Sequence, residues 1–178
     1  VFGNAGAWGS CIADRLEQAV LLDGKGDAVA VASEDLGFSY RHSALKSLHR
    51  PVLKAVFRLK KGDRSRIREE IQKNLEKRKS PYPSPRLAYA GSYFKNPVMP
   101  DGTKIAAGYL LEKVGAKSLS VGGAAVYAGH ANFIVNRGRA RAADVLRLAA
   151  ELKARVRSEF GIDLMEEVIY LPANASMP

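Results

Sequence analysis

The cluster Ser80-Pro81-Tyr82-Pro83-Ser84-Pro85 constrains this chain more than any other stretch. Each proline lacks an amide hydrogen and moves the residue before it out of the helical region, so neither a helix nor a strand continues through it. The chain must therefore fold as separate stretches on either side, and a boundary is expected between residues 1–79 and 80–178.

Upstream, short apolar runs at Ala19 to Leu22 and Ala28 to Ala32 flank Asp23-Gly24-Lys25-Gly26, whose Asp-Gly step predicts the positive backbone angles of a tight hairpin turn. From Val52 to Lys60 the residues alternate, with Leu53, Ala55, Phe57 and Leu59 on one face, which predicts a half-buried strand. Between Arg64 and Lys79 the large apolar residues are Ile67, Ile71 and Leu75, one narrow stripe on an otherwise charged, exposed helix bridging two units. Downstream, Ala106 to Val114 reads as a helix stopped by Gly115. Ala142 to Phe160 reads as a longer one stopped by Gly161, with Val145, Leu148, Ala149, Leu152, Val156 and Phe160 on its core face. Ser118 to Val121, Ala131 to Asn136 and Glu166 to Leu171 read as strands. The fold class is α+β.

Twenty-eight Lys and Arg against eighteen Asp and Glu leave a formal charge of +10, a field that attracts nucleic acid, acidic membranes or phosphorylated small molecules. The basic residues are scattered and no nucleic-acid motif is present, so nucleic acid is not expected as a partner. No apolar run approaches the roughly 18 to 20 residues of a membrane span, and no membrane association is expected. The single cysteine, Cys11, forms no intramolecular disulfide and suits a reducing compartment, so a cytoplasmic location is expected. His42, His49 and His130 lack metal-ligand spacing, and no metal is expected.

Four segments hold residues that can do chemistry, each with a plainer alternative. Gly91-Ser92-Tyr93-Phe94-Lys95-Asn96-Pro97 puts a hydroxyl, a cation and an amide where one loop can present them to a ligand, or it is an ordinary polar turn. In Phe38-Ser39-Tyr40-Arg41-His42-Ser43, Arg41 can pair its planar fork with a carboxylate or phosphate, or lie at the surface. Glu166 and Glu167 enter an apolar strand on opposite faces, so at most one points into a site, and both can equally be solvated edge charges. Gly3, Gly6 and Gly9 with Asn4 can let a backbone approach a phosphate, but lack the dinucleotide fingerprint.

Taken in order, Asn4-Ala5-Gly6-Ala7-Trp8-Gly9, Leu36 to Ser43, Gly91 to Pro97, Ala107-Gly108-Tyr109-Leu110-Leu111, Val121-Gly122-Gly123-Ala124-Ala125-Val126 and His130-Ala131-Asn132-Phe133-Ile134-Val135-Asn136 resemble the UDP-N-acetylenolpyruvoylglucosamine reductase family over nearly the whole chain. The resemblance implies the C-terminal part of a flavin-binding α+β domain over residues 1–79, then a smaller α+β substrate-binding domain over 80–178. It implies FAD and NADPH as cofactors, and UDP-N-acetylglucosamine enolpyruvate reduced to UDP-N-acetylmuramate for peptidoglycan synthesis. Ser92 matches the family's proton donor, Arg41 the arginine that steadies the substrate carboxylate, and Glu167, which directly precedes Val168, the C-terminal glutamate. Asn4, Gly6, Ala7, Gly9 and Tyr40 match flavin-side positions, while Asn96, Lys104, Lys117 and His130 match nucleotide-sugar positions, with Lys79 or Ser80 as a further phosphate contact.

Ile169 stands where many members carry arginine, and the short span from Lys60 to Arg78 leaves no room for the extra substrate loop of one subclass, so the chain resembles the shorter subclass. Family members bring an upstream segment with another glycine-rich loop for the flavin pyrophosphate, and a chain starting at Val1 is expected to be N-terminally truncated. The alternative is a noncatalytic fragment that binds a nucleotide-sugar or a protein partner. The sequence leaves the oligomeric state open.

Overall fold

The computed structural model describes residues 1–79 and 81–172, and the chain divides between Ile67 and Arg68 into two compact units. In the first, β1 (Gly6–Ala7) pairs with β2 (Ser10–Cys11), Gly6 opposite Cys11. Their turn, Trp8 and Gly9, has φ of +51° and +77°, the left-handed pair that matches strand twist. A Cβ on Gly6 would lie 2.6 Å from the Ser10 carbonyl oxygen, so this hairpin closes only around glycine.

Next, β3 (Leu16–Leu22) lies between β4 (Ala28–Ala32) and β5 (Val52–Phe57), antiparallel to both. The register passes from Leu16 opposite Phe57 to Gln18 opposite Val56, an extra residue on β3. That bulge resets the alternation, so Leu16 and Ala19 both face a core completed by Leu21, Leu36 and Leu45. The positive angle of the β3–β4 turn falls on Gly26 (φ +91°) instead of the expected Asp-Gly step. Asp23 instead caps the loop, its Oδ1 accepting from the Lys25 and Asp27 amides at 2.8 and 2.9 Å. The expected strand from Val52 to Lys60 ends at Phe57, and its apolar face is largely open, with Leu53 54% and Leu59 77% exposed. As an edge strand, β5 reaches this core only through Ala55, opposite Ala19.

Helix α1 (Leu45–Leu48) follows, and α2 (Arg64–Lys79) covers the whole charged stretch with its apolar stripe exposed. In the second unit, β6 (Ala88–Tyr89), β9 (Ile134–Asn136), β8 (Ala124–Val126) and β7 (Ser120–Val121) form an antiparallel sheet in that order. Helix α3 (Ala107–Lys113) and helix α4 (Ala142–Phe160) pack together, and α4 lies against β7 and β8. Leu148, Ala149, Leu152 and Val156 of α4 enter a core with Phe94, Leu110, Leu111, Val126 and Leu164, while Phe160 stays 38% exposed at the helix end.

Helix α4 starts where the Arg141 amide donates to Asp144 Oδ2 at 3.0 Å and stops at Gly161 (φ +67°). The expected strand from Glu166 to Leu171 is reduced to one bridge, Phe94 opposite Glu166. Its pairing partner is the short Ser92 to Lys95 segment between a left-handed Gly91 and Pro97, which offers too few residues for a longer ladder.

Candidate functional site

In the first unit, three hydrogen bonds draw the Asn4–Cys11 hairpin and the Phe38–Ser43 loop together. Asn4 Nδ2 donates to the Ser39 carbonyl at 3.0 Å, Arg41 Nη2 to the Gly6 carbonyl at 3.2 Å, and Ser43 Oγ to the Phe2 carbonyl at 2.7 Å. Asn4 Oδ1 also accepts from the Ala13 amide at 3.1 Å, so this buried amide braces its own loop. The Ser39 and His42 backbones close a tight turn whose tip carries Tyr40 and Arg41, with the guanidinium 5.2 Å from the Tyr40 ring centroid. Asn4 (φ +43°), Trp8 (+51°) and Arg41 (+54°) are non-glycine residues in the left-handed region. Such residues persist where the surroundings over-determine them, and they cluster at binding loops.

In the second unit, the segments that carry Ser92 and Glu167 are joined through the backbone: the Glu167 amide donates to the Tyr93 carbonyl at 2.8 Å, and the Lys95 amide to the Met165 carbonyl at 2.8 Å. Glu166 turns toward α4, where Lys153 Nζ lies 3.7 Å from its carboxylate. Burial, with the Glu166 carboxylate nearby, pushes the Tyr93 phenol up, so that hydroxyl holds its proton more firmly.

On the other side of the Ser92 segment stands Asn132, to which sequence reasoning gave no role. Its carbonyl accepts from the Tyr93 amide at 2.8 Å, its Oδ1 from the Phe94 amide at 2.9 Å, and its Nδ2 donates to the Phe94 carbonyl at 2.8 Å. A lone asparagine in an otherwise apolar run, Ala131-Asn132-Phe133-Ile134, was the available signal.

The nucleotide-sugar candidates are distributed around this frame. Asn96 Oδ1 accepts from the Ala107 amide at 3.0 Å and thereby caps α3. Lys104 is exposed on a small hairpin, paired with Val98. Lys117 Nζ sits 2.6 Å from Glu112 Oε1, which holds the Glu112 carboxyl below its ordinary range. His130 Nδ1 accepts from the Asn132 amide at 3.2 Å, which puts the proton of the neutral ring on Nε2. Burial first, and the Lys117 cation second, lower the His130 pKa. Gly108 leaves room for this ring, since a Cβ there would lie 2.9 Å from His130 Cε1.

The His130 ring lies 5.0 Å from Phe133 and 5.8 Å from Tyr82, and Tyr82 opens onto a cleft of about 490 Å³ shared with Arg78, Lys79, Ser84, Tyr89 and Tyr127. Lys79 is therefore on a cleft wall, while Ser80 lies outside the described residues. The sequence had marked Tyr82 only as part of a chain breaker; its aromatic role depends on His130 and Phe133, far along the chain. Among the described residues no group of three His, Cys, Asp or Glu side chains can hold a metal ion.

The second unit is thus an α+β unit that carries the serine loop, the glutamate-bearing segment and a basic, tyrosine-lined cleft. Residues 83–171 match the family described as UDP-N-acetylenolpyruvoylglucosamine reductase, C-terminal domain, and the chain belongs to that family. It is 44% identical over 167 residues to the UDP-N-acetylenolpyruvoylglucosamine reductase of Geotalea uraniireducens, covering 93% of this chain and 52% of that protein. To the reductase of a Synechococcus strain it is 43% identical, covering 94% and 54%. The crystal structure of UDP-N-acetylenolpyruvylglucosamine reductase from Thermus caldophilus superposes with a TM-score of 0.78 at 34% identity, over 96% of this chain and 58% of that one. The chain thus spans about half the length of the relatives it matches.

Proposed function

We propose that this chain is the C-terminal part of an NADPH- and FAD-dependent oxidoreductase that reduces UDP-N-acetylglucosamine enolpyruvate to UDP-N-acetylmuramate in peptidoglycan synthesis, a cytoplasmic reaction. The observation that carries the reading is the backbone bond from Glu167 to Tyr93, which sets the Ser92 loop beside the carboxylate-bearing segment. Residues 1–79 serve the flavin and residues 80–178 the nucleotide-sugar.

The first unit fits a flavin. The Trp8–Gly9 tip is open, with nothing within 4 Å of a Gly9 Cβ, and Trp8 is 59% exposed. Gly6, Ala7, Gly9 and Tyr40 would line the cofactor, and Asn4 fixes the shape of that lining. When bound, the flavin supplies a hydride, received from NADPH, to one carbon of the enolpyruvyl double bond. Ser92 Oγ gives its proton to the neighbouring carbon, which completes the saturated lactyl ether. A hydroxyl can act so only if negative charge building on the substrate carboxylate is met by a cation, the role that the family resemblance gives Arg41. Glu167 orients the substrate beside Ser92. Asn96, Lys104, Lys117 and His130 hold the nucleotide-sugar, and Lys79 on the cleft wall adds a cation for its diphosphate.

The test separates the two half-reactions in the flavin-loaded whole protein of which this chain is proposed to be the C-terminal part. NADPH should reduce the flavin whether or not Ser92 is present. Reoxidation by UDP-N-acetylglucosamine enolpyruvate should fall by roughly 100-fold or more in Ser92→Ala, the range lost with a general acid. A wild-type protein whose reduced flavin the substrate fails to reoxidise overturns the proposal.

A further inference from the structure

The peptide groups that follow Ser92 are held by one residue, Asn132, its backbone carbonyl on the Tyr93 amide and its side chain on both groups of Phe94. Asn132 is 4% exposed and makes three bonds across to the segment: carbonyl to the Tyr93 amide, Oδ1 to the Phe94 amide, and Nδ2 to the Phe94 carbonyl, all between 2.8 and 2.9 Å. The side chain therefore satisfies both groups of Phe94, donor and acceptor, as a neighbouring strand would. Asn132 is held in turn, because its own amide donates to His130 Nδ1. Glu167 closes the far side through the Tyr93 carbonyl. The backbone hydrogen bonds of Tyr93 and Phe94 run to Asn132 and to Glu167.

A proton donor with a short, freely turning side chain depends on its backbone for aim. Ser92 has one rotatable bond before its oxygen, so a shift of the Ser92–Tyr93 peptide moves the hydroxyl directly. We propose that Asn132 is a positioning residue for the reaction: by holding both backbone groups of Phe94, its side-chain amide sets the course of the segment from which the Ser92 hydroxyl projects, without itself touching substrate. This rests on Ser92 being the proton donor.

Asparagine suits the task because it offers a donor and an acceptor at once. Alanine offers neither, and leaves two buried backbone groups unmatched. Aspartate offers both only while protonated, when its O–H can donate to the Phe94 carbonyl and its other oxygen can accept from the Phe94 amide. As a carboxylate it turns two acceptors toward that carbonyl. The titratable groups around the position are His130 on its own loop, and Tyr93, Glu166 and Glu167 on the segments it joins.

In the flavin-loaded whole protein, Asn132→Ala should slow flavin reoxidation by substrate roughly tenfold to 100-fold, as expected of a misaimed reacting group, with reduction by NADPH changed less than about twofold. Asn132→Asp should be comparably slow at about pH 8 and recover most of the loss at about pH 6, relative to wild type at each pH, so that titration of His130 cancels. A side chain that merely holds the fold would slow both half-reactions. Asn132→Asp reoxidising at the wild-type rate at about pH 8, or equally slow at both pH values, overturns the inference, and does so even if Asn132→Ala fails to fold. Ser92→Ala, run alongside, keeps the two readings apart: an unchanged rate there sinks the proton-donor assignment, whereas slow Ser92→Ala with fast Asn132→Asp sinks only the positioning role.

Discussion

His130 carries more than a sequence motif can show, because its ring is at once an acceptor for Asn132, a stacking surface for Phe133 and Tyr82, and a neighbour of Lys117. Burial and the Lys117 cation favour the neutral ring, against the opposing pull of the Glu112 carboxylate. Its pKa in the folded chain therefore falls below the ordinary 6.5, chiefly through burial. The unfolded chain takes up the proton first on acidification, so between the unfolded and folded pKa values stability rises with pH. The stabilisation is present above 6.5 and is lost as pH falls through the lowered value. The melting temperature should accordingly drop between about pH 7.5 and about pH 5.5, and His130→Gln should flatten that part of the curve. An unaltered curve in the variant would place the drop on other groups. Site residues were legible here to different depths. Ser92 and Glu167 could be named because a string of neighbours marks them, but Asn132 and Tyr82 act only through partners from distant segments.

The elements most legible in the sequence were those with a long period and a defined stop. Helices α2 and α4 span Arg64–Lys79 and Ala142–Phe160, as the apolar spacing and Gly161 predict. The two-residue strand β6 and the three-residue β8 carry too few residues for a period and went unread. Between β7 and β8 lies Gly122-Gly123, part of a family string, and both glycines answer to packing against the start of α4. Gly122 has φ +54°, and a Cβ there would lie 2.5 Å from the Asp144 carboxylate; one on Gly123 would strike the Ala140 backbone. Asp144 cannot yield, because it accepts from the Arg141 amide and from Arg147 Nη2 at 3.0 and 2.7 Å, contacts that hold its carboxyl below the usual range. Gly122→Ala combines an unfavourable φ with a steric clash and should cost about 2 kcal/mol or more of unfolding free energy. Denaturant titration measures it, and a loss within about 0.5 kcal/mol of zero would show that the hairpin and helix can shift apart cheaply.

At the scale of the whole chain, the two ligands proposed for this protein fall to units of different self-sufficiency. All four nucleotide-sugar candidates, Asn96, Lys104, Lys117 and His130, belong to the second unit, whose sheet and two helices close around a core of their own. The cleft with Arg78 and Lys79 belongs to that unit as well. The flavin candidates belong to the first unit and amount to one hairpin tip and one turn. Asn4, moreover, is committed to Ser39 and Ala13. A cofactor diphosphate is held chiefly by several amides and cations fixed in one arrangement, and two short loops supply few of them. Residues 1–178, titrated calorimetrically, should therefore bind UDP-N-acetylglucosamine enolpyruvate measurably and FAD weakly, with Lys117→Ala and His130→Ala each weakening the nucleotide-sugar and leaving FAD unaffected. Tight stoichiometric FAD binding by these residues alone would mean that the first unit holds flavin through groups other than those assigned to it.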